Sequence, residues 1–131
     1  ENLENIKNQI FKVNPKAKIF VTSYKPLNLN DFTKKDNYLV FSGIGNHQSF
    51  VSMLKKNNIN ILKEIEYPDH YNYSEKDINN IITEAENMSC KIITTEKDFY
   101  RLNNKYIDKI KFVKSEIKIQ NESEFLDIIL N

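Results

Sequence analysis

The apolar positions of this chain fall into two alternating periodicities. Ile6, Ile10 and Phe11, with Val13 trailing, recur at helical spacing and predict an amphipathic helix over residues 3 to 13, closed by Asn14-Pro15. KIFVTSY (18 to 24) is β-branched and aromatic and reads as a strand, followed by a polar connection from Lys25 to Asn37. NYLVFSGIG (37 to 45) predicts a strand running into two glycines, and HQSFVSMLKKNN (47 to 58) a helix with Phe50, Val51 and Leu54 on one face. INILKEIEY (59 to 67) alternates as a strand does. SEKDINNIITEAENM (74 to 88) reads as a helix, with Ser74 as N-cap and Asp77 as its capping-box partner. KIITT (91 to 95) is a short strand entering a helical turn or two at EKDFYRLNN; IKFVKSEIKI (110 to 119) is extended; ESEFLDIIL (122 to 130) is a final helix.

Strands alternating with helices of this length predict a layered α/β fold, with a mainly parallel sheet and helices on both faces. In such open sheets, ligands meet the loops at the carboxyl ends of the strands. Three loops with distinctive chemistry follow predicted strands: GIGN, PDHY and TTEKD. The fold alone should bring them to one edge.

The length of 131 residues fits one domain. Lys+Arg (19) and Asp+Glu (18) nearly cancel, so no basic stripe points to nucleic acid. Cys90 is the only cysteine, which excludes an internal disulfide and fits a reducing compartment. No apolar run approaches the roughly 20 residues of a membrane span. The chain begins with Glu, and the expectation is a piece of a longer protein.

Each loop has two readings. Gly43 and Gly45 are the only glycines, and a strand–Gly–x–Gly–helix turn lets backbone approach a phosphate, with Asn46 capping the next helix. The same glycines could serve only a tight turn. Asp69 and His70 could supply a proton acceptor and its supporting carboxylate, or a braced polar turn. In TTEKD, Thr95 and Asp98 suit a capping box, and Glu96 fits the first turn. Lys97 is a poor match to a helix N-terminus, which favours a ligand-facing role. Tyr67, Tyr71 and Tyr73 could cradle a ring or an acyl chain, or pack the loop. His47 and Cys90 lack ligand spacing to His70, so no metal site is expected.

FSGIGNHQSF, EYPDHYNYSEKDI and IITTEKDFYRL, in this order and spacing, resemble the carboxyl-terminal half of tetraacyldisaccharide 4′-kinase, the lipid A 4′-kinase of Gram-negative bacteria. The likeness runs from about Lys18 to Leu102. It implies the second of two P-loop NTPase-type domains, with ATP and Mg²⁺ bound mainly by an amino-terminal P-loop domain that is not in this chain. It implies phosphoryl transfer to a tetraacylated disaccharide 1-phosphate at the cytoplasmic face of the inner membrane, membrane contact being made through that other half. This piece alone is expected to be inactive. By the resemblance, the family's PDH falls on Pro68, Asp69 and His70. His70 would activate the sugar hydroxyl together with an aspartate of the other domain, and Asp69 would support it. The family's GIGN falls on Gly43 to Asn46 and its TTEKD on Thr94 to Asp98, both expected in the interdomain cleft. Two positions depart from the family: His47 stands where Pro is common, and Tyr71 where a second His is common. A non-catalytic α/β interaction or regulatory module is the alternative reading.

Overall fold

The computed structural model describes residues 3–130, apart from the side chains of 22–24 and 116–118. Its elements are α1 (Leu3–Val13), β1 (Thr22–Pro26), β2 (Asn37–Ser42), α2 (His47–Lys56), β3 (Asn60–Glu66), α3 (Glu75–Asn87), β4 (Lys91–Thr95), α4 (Glu96–Phe99), β5 (Ile110–Val113), β6 (Ser115–Ile119) and α5 (Glu122–Leu130). Strands β2 to β5 form a parallel sheet in the order β3-β2-β4-β5, while β1 pairs with β6 in a separate two-stranded sheet. The chain divides into two compact units, Tyr24–Glu116 and Glu1–Ser23 with Ile117–Asn131, so the boundaries fall within β1 and β6.

In the larger unit, alternate residues of each strand feed two cores. Tyr38, Val40, Ile93 and Val113 meet Phe50, Val51 and Leu54 of α2. Leu39, Phe41, Ile92 and Ile110 meet Ile78, Ile81, Ile82 and Ala85 of α3. The two helices therefore cover opposite faces, as expected. Central strands buried on both faces must be almost wholly apolar, which explains YLVF and II in β2 and β4. Each fully buried Leu, Ile or Phe side chain contributes about 1.5–3 kcal/mol. Edge strand β3 is only partly covered, and its alternation reflects this.

The order of the strands also fixes where a ligand can bind. From β2 the chain crosses outward to β3, then returns past β2 to β4. That reversal opens a crevice at the carboxyl ends of β2 and β4, the topological switch point of an open α/β sheet.

Three boundaries differ from the sequence expectation. Residues 18–21 are not part of β1, which begins at Thr22. Strand β2 ends at Ser42, because Gly43 turns away to bond with α4. The extended run 110–119 is two strands in different sheets, since Lys114 leaves the parallel sheet and its carbonyl accepts from Leu27 N–H.

In the smaller unit, Phe20 packs edge-on against Phe125 with ring centroids 5.0 Å apart, and Lys18 pairs with Glu124 at 3.6 Å. Neither α1 nor α5 buries a residue. Among the described residues, no helix is long and apolar enough to cross a membrane.

Candidate active site

A cleft of about 630 Å³ lies at the switch point. All three loops reach it: Gly45 and Asn46 after β2, Asp69 after β3, and Thr95, Glu96 and Lys97 after β4. Phe50, Met53, Tyr100 and Val113 supply an apolar wall.

Gly43 holds the loops together. Its N–H donates to both oxygens of the Asp98 carboxylate at 3.1 Å, and its carbonyl accepts from His70 N–H at 3.1 Å. One residue earlier, the Ser42 carbonyl accepts from Tyr67 N–H at 2.8 Å. Gly43 is itself buried and does not face the cleft. Asn46 caps α2 as expected, its side-chain oxygen accepting from Ser49 N–H at 3.1 Å.

Asp98 is fully buried beneath the cleft floor and does not line it. Besides Gly43, it accepts from Thr95 Oγ1 at 2.6 Å and from Tyr73 Oη at 3.0 Å. Burial, with the Asp98 carboxylate beside it, pushes the Tyr73 hydroxyl well above the ordinary phenol range. Tyr73 therefore stays protonated and donates. Thr95 also caps α4 by accepting from Asp98 N–H at 3.0 Å. Thr94 is buried, and its hydroxyl donates to the Phe41 carbonyl at 2.8 Å, tying β4 to β2. Helix α4 is a single turn, so Lys97 stands in its first and last turn at once. The macrodipole mismatch raised by the sequence therefore carries no weight. What places Lys97 at the site is its position in the cleft wall, exposed.

His70 does not line the cleft as its neighbour Asp69 does; its side chain is 68% exposed. Its backbone is left-handed, φ 59°, a region where His occurs more readily than most residues. Arg101 Nη2 lies 2.8 Å from its Nδ1, and Asp69 Oδ2 lies 3.6 Å from its Nε2. Arg101 Nη1 is buried without a hydrogen bond, 4.0 Å from Asp98 Oδ1.

The three tyrosines pack the loop. Tyr71 lies 4.7 Å from Tyr67 and 5.2 Å from Tyr73, Tyr73 packs on Phe41 at 5.4 Å, and Tyr71 Oη donates to Asp77. His47 is buried at the start of α2, its Nδ1 2.6 Å from Ser42 Oγ and its Nε2 3.8 Å from Glu64. Among the described residues, no group of three or more His, Cys, Asp or Glu side chains comes together to hold a metal. The cleft wall carries two carboxylates, Asp69 and Glu96, too few to hold Mg²⁺ without further ligands such as phosphate oxygens.

Arg101 was not singled out by sequence, and Tyr73 was read as a ring cradle or loop packing, not as a partner of Asp98. Arg101 sits three residues past the TTEKD motif and 31 from His70, and no periodicity links residues so far apart. The one local clue is its i, i+3 spacing from Asp98.

The profile of the tetraacyldisaccharide-1-P 4′-kinase family matches residues 2–131. The chain belongs to this family. It is similar to the tetraacyldisaccharide 4′-kinase of Pelagibacter ubique (strain HTCC1062), 48% identical over 130 residues, which are 99% of this chain and 41% of that protein. It is also similar to the enzyme of that name from Rickettsia typhi (strain ATCC VR-144 / Wilmington), 42% identical over 93 residues, 70% of this chain and 28% of the relative. A crystal structure of LpxK from Aquifex aeolicus in complex with ATP aligns over 99% of this chain and 44% of that one, with a TM-score of 0.51 and 22% identity. That likeness extends the α/β fold to a solved member. The chain thus spans less than half the length of these relatives.

Proposed function

We propose that this chain is the acceptor-side part of a lipid A 4′-kinase, which transfers the γ-phosphoryl group of ATP to the 4′-hydroxyl of a tetraacyldisaccharide 1-phosphate. The observation that carries this reading is the convergence of all three family motifs on one cleft at the switch point, in a chain the family profile matches throughout. A P-loop domain of the same protein holds most of the nucleotide and Mg²⁺, since no GxxxxGK[ST] occurs in these 131 residues. That domain also carries the contact with the cytoplasmic face of the inner membrane.

Phosphoryl transfer depends chiefly on positioning and charge stabilisation. In this reading the other domain presents the nucleotide, and closure brings the acceptor hydroxyl to His70. His70, working with an aspartate of the other domain, takes the hydroxyl proton as the oxygen attacks phosphorus, and Asp69 supports the imidazolium. Gly45, Asn46, Thr95, Glu96 and Lys97 form the cleft wall facing the ligands, while Gly43 and Asp98 hold that wall in shape.

The test is ATP-dependent phosphorylation of the lipid A disaccharide precursor by the full-length protein, wild type against His70→Ala, with matched melting temperatures. A positioned general base is worth roughly 10²–10⁴-fold. The expected result is a loss of at least roughly 10²-fold in kcat with KM little changed, and no turnover by the 131-residue chain alone. Unchanged turnover in His70→Ala would return Asp69-His70 to a braced turn. A wild-type protein without kinase activity would favour the interaction module.

A further inference from the structure

We infer that Arg101 is a positioning residue that makes Nδ1, rather than Nε2, the basic nitrogen of His70. A guanidinium has only donors, so its contact at 2.8 Å requires a lone pair on Nδ1. The single proton of the neutral ring then sits on Nε2, the nitrogen facing Asp69 Oδ2 at 3.6 Å. The order along the site is therefore Asp69, Nε2–H, the ring, Nδ1, Arg101. At the far end, Arg101 Nη1 makes no hydrogen bond and lies 4.0 Å from Asp98 Oδ1, so the buried Asp98 attracts the guanidinium by charge alone. Without Arg101, nothing else among the described residues fixes the His70 tautomer, since 3.6 Å is too long for a hydrogen bond.

Joined to the kinase reading, on which this part rests, the assignment orients the chemistry. The acceptor hydroxyl displaces Arg101 from Nδ1 and gives it its proton as the oxygen bonds to the γ-phosphorus. The bond from that phosphorus to the bridging oxygen breaks, and ADP leaves with the electron pair. The imidazolium so formed carries its older proton toward Asp69, and the displaced guanidinium remains beside the transferred phosphoryl group, where its planar fork suits phosphate oxygens.

Nitrogen-15 NMR of the neutral histidine rings tests the tautomer in the 131-residue chain, with His70→Gln identifying its signals. Wild type should show one tautomer, protonated on Nε2. Arg101→Met, which keeps the stem but cannot donate, should give a mixture, and Arg101→Lys should restore most of the single form. A wild-type proton on Nδ1, or an unchanged ratio in a folded Arg101→Met, overturns the assignment. Should Arg101→Met not fold, Arg101→Lys and the wild-type tautomer decide. In the full-length kinase, Arg101→Met should lower kcat by about 10- to 10²-fold with KM nearly constant, as misplaced groups do. A raised KM at constant kcat would instead make Arg101 a ligand-binding residue. An inactive wild type would remove the kinase reading and leave the tautomer result standing.

Discussion

The two glycines do different work. A Cβ on Gly43 would lie 3.0 Å from the Pro68 carbonyl oxygen, 3.0 Å from Tyr73 Oη and 3.2 Å from Tyr71 Cβ. A Cβ on Gly45 would meet nothing nearer than Asp69 Oδ2 at 3.5 Å, an ordinary contact. Neither glycine has positive φ. Gly43 is thus required by the close approach of the PDHY loop, while backbone packing does not require Gly45. Gly43→Ala should cost about 1–3 kcal/mol, as overpacking does, and should disturb the site with it. Gly45→Ala should melt within about 0.5 kcal/mol of wild type, yet lose kinase turnover in the full-length protein, because its open backbone borders the cleft. Thermal melts beside the kinase assay check both; two glycines behaving alike would refute the distinction. The sequence offered a turn and a phosphate-approach reading for the pair. It could not separate them, because the atoms that crowd Gly43 belong to residues 25 to 30 positions away.

Among elements, capping was the most legible signal. Ser74 accepts from Asp77 N–H at 3.0 Å and Asp77 accepts from Ser74 N–H at 2.9 Å, the reciprocal pair read from the sequence. Local hydrogen bonds of this kind need only three intervening peptide units. At α4 only half of such a box forms: Thr95 accepts from Asp98 N–H, but the Asp98 carboxylate does not return a bond to Thr95 N–H. The Asp98 side chain instead accepts from Thr95 Oγ1, Gly43 N–H and Tyr73 Oη. It thereby ties the end of β2 to the start of α4 and the approach to α3. Hydrogen bonds to a charged group are worth about 1.5–3 kcal/mol each. Asp98→Ala should therefore destabilise the chain by at least about 3 kcal/mol, lowering the melting temperature by roughly 10 °C or more. A melting temperature within 2–3 °C of wild type, a change of well under 1 kcal/mol, would show that Asp98 does not carry the loops.

At the scale of the molecule, stability is uneven. Tyr38, Leu39, Val40 and Phe41 of β2 and Ile93 of β4 are wholly buried, whereas α1 and α5 bury no residue. Local opening is easiest where few apolar contacts are lost. In hydrogen exchange, amides of α1 and α5 should exchange first and those of β2 and β4 last. Equal protection across the chain would contradict two units of different stability. Leu3, Ile10 and Phe11 of α1 and Ile128 and Ile129 of α5 are also exposed. The Pelagibacter relative is more than twice as long as this chain.

By itself the sequence determined whatever depends on near neighbours. The alternation of strands and helices, the caps at Asn46, Ser74 and Thr95, and the order of the three motifs were all readable, because periodicity and capping are set within a few residues. A parallel α/β sheet followed from that alternation, and with it the edge where the loops meet. The tertiary structure alone decided which of those residues face a ligand. It put Gly43 and Asp98 beneath the cleft, Gly45 and Lys97 in its wall, and His70 against Arg101. These outcomes depend on distances between residues 25 to 55 positions apart. Such distances arise only when the strands assemble in the order β3-β2-β4-β5.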